Sequence, residues 1–335
     1  MKHVFYVHSH ITFAVALGVM KSEEIDASDA AFLSPKRYRK PIDDGFTFIE
    51  LPPQFESFND SNPNPFFVAG KLKEFKKFLK TNDIKEYHSY IPHKYISGAK
   101  LLIGQEECLD YSFIEEGIAS YNSDLFKKSN QDIKSWMKSI IYPWKKMGVS
   151  SYFDEKYRII YCTRESAFFS LPRRRIVDAE FWRLKFSSQL DFKDSHIIAL
   201  SPLTQLKEEL ASAYTASLFD LLENIKGKKI YYKPHPDQYN TGEEKFFDHI
   251  FKKFDGIKLD RDFCLESLQN TACNMDFHFL NSSICLYLTS QNIRLHNLGR
   301  SIKNMNPVAY AQLLSQFPER IRIEIEKLCT EEQHP

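Results

Sequence analysis

Short apolar runs alternate with amphipathic stretches through the first half of the chain. The runs at 4–7, 46–51 and 111–114 have the length and composition of buried strands. The stretches near 11–22 and 67–81 repeat apolar residues at helical spacing. Buried strands separated by helices predict a doubly wound α/β domain, with a long polar loop at 52–65.

A second series of the same kind begins at residue 196. It predicts, in chain order, a strand at 196–203, a helix at 204–225, a strand at 229–232, a strand at 257–260, a short helix at 264–270 and a strand in 277–288. Between the two series, 164–182 contains prolines and the run Arg173–Arg175, which indicates an exposed connection. Pro307 and Pro318 predict the starts of two final helices.

These patterns divide the chain into three segments. We predict an N-terminal α/β domain at 1–180, a C-terminal α/β domain at 190–305 and C-terminal helices at 306–335. The boundary between the two domains is expected within 175–195. At 335 residues the chain is long enough for two domains of ordinary size.

Charge and cysteine content narrow the class of function. The 45 basic and 44 acidic residues leave a formal net charge of +1, so no nucleic-acid partner is expected. The six cysteines form no CxxC pair and no zinc or disulfide spacing, which indicates buried thiols of a reducing compartment. His8 and His10 interrupt the apolar N-terminal run, so we expect a cytoplasmic protein rather than a secreted one.

Two short motifs are candidates for chemistry. His235 lies between two prolines directly after the predicted strand 229–232, so the backbone around its imidazole is stiff. Glu115 and Glu116 end the predicted strand 111–114 and are followed by Gly117. A part-buried acid at the end of a strand can have its pKa raised towards that of a general base. A turn histidine and a solvated acidic loop are the structural alternatives.

Together the motifs resemble those of bacterial sialyltransferases with the GT-B fold, including lipooligosaccharide sialyltransferases and capsular polysialyltransferases. The resemblance covers roughly residues 110–290. Its features, in chain order, are Glu115-Glu116-Gly117, His235-Pro236, Glu266 in a predicted short helix, and Asn281-Ser282-Ser283. The chain departs from many members of that group in having two glutamates where an aspartate is common.

The resemblance implies an α/β architecture of two Rossmann-like domains that face a central cleft. It also implies transfer of sialic acid from CMP-sialic acid to a sugar hydroxyl, with inversion and without a metal or cofactor. The N-terminal domain would then bind the acceptor, a terminal galactose of a lipopolysaccharide, lipooligosaccharide or capsule, and the C-terminal domain would bind the CMP-sugar.

The resemblance also implies a role for each motif. Glu115 would be the general base, Glu116 would be either catalytic or structural, and His235 would contact the phosphate of CMP. The donor-binding residues would be Lys233, Pro236, Glu266, Ser282 and Ser283. His8 and His10 are candidates for the acceptor side or for structural histidines.

Several alternatives stay open. The donor is CMP-sialic acid, another CMP-linked sugar or a nucleotide-diphosphate sugar, and a non-catalytic protein that binds nucleotides or glycans would have the same pattern. The arginine run and an apolar helical face in 317–328 also leave open a peripheral contact with the inner face of the cytoplasmic membrane.

Overall fold

The computed structural model divides into two compact units, Met1–Leu184 (unit 1) and Lys185–Pro335 (unit 2). The structure describes residues 1–36, 38, 45–58, 65–92, 96–122, 156–169, 171, 173–180 and 190–330. The two C-terminal helices belong to unit 2.

Unit 1 is built on a parallel sheet. Its strands are β1 (Lys2–Tyr6), β2 (Ala30–Pro35), β3 (Phe48–Leu51), β4 (Tyr87–Ile91), β5 (Cys108–Ile114), β6 (Tyr157–Cys162) and β7 (Arg174–Ile176). The described strands lie in the order β3-β2-β1-β4-β5-β6-β7, and each neighbouring pair is parallel. The direction of winding reverses between β1 and β4, which makes their carboxyl ends a topological switch point.

The described helices of unit 1 connect these strands. They span His10–Ser22, Pro53–Glu56, Pro65–Thr81 and Ser97–Ile103, with a short 3-10 helix at Ile118–Tyr121. Ser9 caps the first helix, and ten consecutive residues after His10 are buried. Gly18 in this helix lies against the carbonyl oxygen of Asp178, where a Cβ atom would collide with the backbone. The absence of a side chain therefore permits this packing.

Unit 2 repeats the same topology with fewer described strands. They are β8 (Ser195–Ala199), β9 (Lys229–Lys233), β10 (Ile257–Lys258), β11 (Met275–Phe279) and β12 (Ile293–Asn297). Their order is β10-β9-β8-β11-β12, again with parallel neighbours, so this sheet reverses between β8 and β11.

The helices of unit 2 span Glu208–Asn224, Gly242–Lys252, Gly299–Met305, Pro307–Ser315 and Glu319–Thr330. Shorter 3-10 helices span Leu203–Gln205, Pro236–Gln238, Leu265–Asn270 and Ser283–Leu286. In the last helix, Ile321 and Ile325 are buried, and the helix packs on β12. This apolar face is therefore occupied by its own unit.

The structure corrects two predictions about connections. The segment 164–182, predicted to be an exposed connection, contains β7, where Arg174 and Arg175 form an exposed strand on β6. Strand pairing satisfies the backbone there although the side chains remain charged. The predicted loop 52–65 contains the helix Pro53–Glu56, and its residues 59–64 lie outside the described part. In the described residues, no helix combines the length and the apolar character needed to cross a bilayer.

Candidate active site

The residues predicted to carry chemistry follow the carboxyl ends of strands. In unit 1, His8 follows β1 and the Glu115–Gly117 motif follows β5. In unit 2, His235 follows β9 and the Asn281–Ser283 motif follows β11. The carboxyl ends of parallel strands share one edge of a sheet, which is where doubly wound folds bind ligands. We call these edges the carboxyl edge of unit 1 and the carboxyl edge of unit 2.

The carboxylate of Glu115 is anchored in the interior of unit 1. Its Oε1 accepts a hydrogen bond of 2.9 Å from the Tyr121 hydroxyl. Its Oε2 accepts bonds of 2.6 Å from the Thr163 backbone N–H and 2.8 Å from the Thr163 hydroxyl. The residue is fully buried. Because three donors surround this carboxylate, its contacts are those of a structural anchor that joins β5, β6 and the 3-10 helix after Gly117.

Glu116 lies in a different environment from its neighbour. Its side chain is 9% exposed, and burial raises the pKa of its carboxyl to about 7. The Nε2 atom of His8 lies 3.4 Å from its Oε2 atom. A carboxyl that titrates near neutral pH is suited to remove a proton from a hydroxyl group.

Gly117 explains how two adjacent acids reach different surroundings. Its φ angle is 119°, a conformation that side chains disfavour, and it turns the chain into the 3-10 helix Ile118–Tyr121. This turn brings the Ser120 hydroxyl to the backbone N–H of Glu116 at 3.1 Å, and the Tyr121 hydroxyl to Glu115. The glycine is therefore required by the backbone of the motif.

His235 is held by hydrogen bonds on its backbone and on its ring. Its backbone N–H donates to Gln238 Oε1 at 2.7 Å, and the Asp237 N–H donates to its Nδ1 at 3.3 Å. Since Nδ1 accepts, the neutral ring carries its proton on Nε2. The side chain is 39% exposed. Burial lowers the pKa of His235, although the charges of Asp237 and Glu243 oppose that shift.

Pro236 and Asp237 shape the turn after this histidine. Pro236 occupies the first position of the 3-10 helix Pro236–Gln238, where its missing N–H costs no hydrogen bond. Asp237 Oδ2 lies 3.5 Å from His235 Nδ1 and accepts a bond of 2.8 Å from Gln205 Nε2. A second proton on the ring would therefore face a carboxylate.

The serine pair lies at the start of another short helix. Ser282 caps the 3-10 helix Ser283–Leu286, and its hydroxyl oxygen accepts a bond from the Ile284 N–H at 3.4 Å. Asn281 donates its side-chain amide to Gln316 Oε1 at 2.6 Å. Both serines are part-buried after β11, beside the switch point of unit 2.

Lys233 and Glu266 are the remaining residues that were predicted to bind the donor. Lys233 Nζ donates to the carbonyl oxygens of Asp260 and Arg261 at 3.0 and 2.8 Å, and burial lowers its pKa to about 8. The Cys264 thiol donates to Glu266 Oε2 at 3.2 Å, and burial raises the pKa of Glu266. Lys233 therefore holds the segment before Glu266 through two backbone contacts.

Sequence reasoning missed Thr163, Gln238 and Glu243. Gln238 follows His235 at the spacing of a capping box, and the structure shows both reciprocal bonds of that box. That spacing is a signal in the sequence. Thr163 and Glu243 have none, because each is brought to its partners by the packing of separate elements. His10 begins the first helix, and its ring lies 5.5 Å from that of Tyr38.

No protein-family model and no curated protein matches this chain. Solved structures do resemble it. The GT-B domain of a sialyltransferase from Photobacterium damselae is 12% identical, with 94% of this chain and 96% of that chain covered at a TM-score of 0.51. A spinosyn rhamnosyltransferase complexed with thymidine diphosphate is 10% identical, with 99% and 92% covered at a TM-score of 0.50.

A third solved structure belongs to a different kind of enzyme. The UDP-GlcNAc 2-epimerase from Neisseria meningitidis, bound to UDP-GlcNAc, is 10% identical, with 99% and 100% covered at a TM-score of 0.50. At such low identity the likeness concerns the fold. The comparisons and the two parallel sheets together show that the chain has the GT-B fold, with two Rossmann-like α/β units.

Proposed function

We propose that this protein is a glycosyltransferase that moves sialic acid from CMP-sialic acid to a sugar hydroxyl of a bacterial surface glycan, with inversion. The acceptor would be a terminal galactose of a lipopolysaccharide, lipooligosaccharide or capsule. The observation that carries the proposal is Glu116 at the carboxyl edge of unit 1, whose side chain is 9% exposed and lies 3.4 Å from His8 Nε2, with its pKa raised to about 7. The sialyltransferase-like motifs and the fold support it.

The general base of the reaction is assigned to Glu116. In the transfer, the acceptor oxygen bonds to the anomeric carbon of sialic acid while the bond from that carbon to the phosphate oxygen breaks. CMP leaves with the electron pair, and Glu116 takes the acceptor proton. Glu115 was the residue first predicted for this role, but its contacts with Tyr121 and Thr163 favour an anchoring role instead. His8 lies beside Glu116 and would interact with its carboxyl as the proton arrives.

The residues that bind CMP and stabilise it as the leaving group are assigned to unit 2. The neutral ring of His235 presents its Nε2–H as a hydrogen-bond donor to the phosphate of CMP, where negative charge increases as the bond breaks. Ser282 and Ser283 would donate further hydrogen bonds to the phosphate, and Glu266 would accept bonds from the ribose hydroxyls. Lys233 and Pro236 would act by fixing the loops that carry these groups.

A second candidate keeps the fold and changes the donor. The epimerase bound to UDP-GlcNAc and the rhamnosyltransferase with thymidine diphosphate resemble this chain as closely as the sialyltransferase domain does. A nucleotide-diphosphate sugar is therefore the alternative donor for the carboxyl edge of unit 2.

Release of CMP from CMP-N-acetylneuraminic acid tests the proposal directly. We expect lactose to stimulate release by the purified protein in a buffer that contains EDTA. Glu116→Gln and His235→Ala should each reduce the stimulated release about 100-fold or more, while both variants still unfold in a cooperative thermal transition. Absence of CMP release with every acceptor, together with tight binding of UDP-GlcNAc or a thymidine-diphosphate sugar, would assign the alternative donor.

A further inference from the structure

The side chains of buried Gln238 and part-exposed Glu243 join three segments at the carboxyl edge of unit 2. Gln238 is 1% exposed, and its Oε1 accepts the 2.7 Å bond from the His235 backbone N–H. Its Nε2 donates to Ser201 O at 3.2 Å and to Glu243 Oε2 at 3.1 Å. One amide therefore connects the turn after β9, the loop after β8 and the helix Gly242–Lys252.

Glu243 completes this connection from the helix. Its Oε2 accepts the Leu203 N–H and its Oε1 accepts the Thr204 N–H, both at 2.9 Å. These N–H groups lie in the 3-10 helix Leu203–Gln205, just after β8. Burial raises the pKa of Glu243, but the bonds from Gln238, Thr204 and Leu203 outweigh burial and lower the pKa overall. The carboxylate is therefore ionised and occupied by donors near neutral pH.

The loop after β8 and the turn after β9 have a second link at the surface. Gln205 Nε2 donates to Asp237 Oδ2 at 2.8 Å, and Asp237 in turn donates its N–H to the ring of His235. Both ends of the histidine turn are thus tied to the loop after β8. This loop lies at the switch point, where a doubly wound sheet binds its ligand.

Removal of either partner breaks hydrogen bonds that hold the histidine turn and the loop after β8. Without the Gln238 amide, the His235 N–H, the Ser201 carbonyl and the Glu243 carboxylate each lose a partner inside the protein. Groups left in this way move towards water or towards new partners, since an unpaired buried polar group is costly. Either response displaces the His235 ring from its present position.

We propose that Gln238 and Glu243 are positioning residues that fix the imidazole of His235 against the loop after β8. Neither residue is assigned a contact with substrate. The inference deepens the proposed function, in which His235 contacts the phosphate of the donor, and it rests on that function only for the kinetic part of its test.

The first test measures amide hydrogen exchange in the loop after β8 and needs no catalytic turnover. Glu243→Gln replaces a carboxylate that accepts three bonds with an amide that offers one oxygen, so we expect hydrogen exchange of the Leu203 and Thr204 amides to accelerate about tenfold or more. Glu244→Gln is the matched control, because Glu244 accepts its bonds from Lys258 and from the Asn240 N–H. Unchanged exchange at Leu203 and Thr204 in Glu243→Gln would overturn the proposal.

The second test follows the His235 ring by NMR titration. The charge of Glu243 raises the pKa of His235 and burial lowers it, so loss of the charge and movement of the ring towards water shift that pKa in opposite directions. The decisive signal is therefore the chemical shifts of the ring protons across the titration, which should differ from wild type in Glu243→Gln and be unchanged in Glu244→Gln. A structural role without influence on the ring would leave the titration of both variants like that of the wild type. Exchange and titration need no substrate, so a failed transferase assay does not alter their outcome.

The third test separates the two halves of the Gln238 amide. Gln238→Glu keeps an oxygen for the His235 N–H but places a second carboxylate against Glu243, whereas Gln238→Leu removes both polar atoms. We expect kcat to fall about 10- to 100-fold in Gln238→Leu, with KM for the donor changed less, because misplacement of a reacting group costs rate. Relative to wild type measured at the same pH, the activity of Gln238→Glu should rise as the pH falls and its new carboxyl becomes protonated. Wild-type kcat in Gln238→Leu would overturn the proposal.

Discussion

At the carboxyl edges of the two units, burial shifts the pKa of a candidate catalytic side chain in opposite directions. At the edge of unit 1, burial raises the pKa of Glu116 to about 7. At the edge of unit 2, burial lowers the pKa of His235. Loss of solvent favours the uncharged form in both cases. Burial therefore gives unit 1 a carboxyl that titrates near neutrality, and unit 2 a neutral imidazole whose remaining proton points away from its backbone partners.

The largest expected effect is on the rate of CMP release, when Glu116 in unit 1 is replaced. Glu116→Gln keeps the shape of the side chain and removes the proton acceptor, so we expect acceptor-stimulated CMP release to fall about 10²- to 10⁴-fold. The measurement is initial rate with lactose at saturating donor. Binding of CMP should be unchanged, because Glu116 is assigned to the acceptor proton. Retained rate in this variant would remove Glu116 as the base.

The next largest effect is on kcat, when His235 in unit 2 is replaced. His235→Ala removes the donor assigned to the phosphate, and we expect a loss of about 10²- to 10³-fold in kcat. The matched variants are His235→Gln, whose amide lies near the position of Nε2, and His235→Asn, whose amide lies near that of Nδ1. Partial activity in the glutamine variant alone would identify Nε2 as the atom that acts. Equal activities of the two would contradict that assignment.

A third prediction compares Glu115 and Glu116 by their effects on the free energy of unfolding. The folded protein binds the Glu116 proton more tightly than the unfolded chain does, since the pKa rises from 4.5 to about 7. Stability from this group is present below pH 4.5 and is lost as pH rises through 7. Glu116→Gln should therefore raise the free energy of unfolding relative to wild type by on the order of 1–3 kcal/mol at pH 8, and by much less at pH 5.

Substitution of the adjacent Glu115 should change the free energy of unfolding in the opposite direction. Glu115→Gln gives Thr163 and Tyr121 one acceptor oxygen in place of two, so we expect the free energy of unfolding to fall by about 1–3 kcal/mol. Urea denaturation of both variants and of wild type at pH 5 and pH 8 measures these changes in the free energy of unfolding. Stabilisation at pH 8 by Glu115→Gln, or destabilisation there by Glu116→Gln, would show that the two environments have been assigned the wrong way round.

The smallest effect concerns the scaffold of unit 1. Gly18→Ala places a Cβ atom against the Asp178 carbonyl, so we expect a loss of about 1–3 kcal/mol of unfolding free energy. Gly70→Ala is the control within another helix of the same unit, because a Cβ there meets no atom within 4 Å. That variant should gain about 0.5–1 kcal/mol, from the higher helix propensity of alanine. Thermal unfolding of both proteins compares them.

Much of the fold was predictable because buried strands and amphipathic helices have their own sequence patterns. The strands predicted at 4–7, 111–114 and 229–232 overlap β1, β5 and β9, although β1 begins two residues and β5 three residues before the predicted start. The GT-B fold class is confirmed by the sheets and the structural comparisons. Strands such as β7 were missed, because charged side chains on an edge strand hide the apolar signal.

The motifs were also visible in the sequence, since Pro-His-Pro and Glu-Glu-Gly restrict the backbone locally. Gly117 has the positive φ that a turn after two acids requires, and Pro236 begins a helical turn as its ring favours. Local stereochemistry of this kind does not depend on distant partners. The sequence by itself therefore determined where along the chain the candidate groups lie and which turns carry them.

Only the tertiary structure decided what surrounds each group. Thr163, directly after β6, anchors Glu115 and leaves Glu116 as the carboxyl whose pKa is raised to about 7. Glu243 ties the histidine turn to a loop that precedes it by a whole helix and strand. The pKa of a side chain depends on desolvation and on nearby charges and donors, and these come from elements that are distant in the chain. For that reason the pair of acids was found in the sequence, and the difference between them was found in the fold.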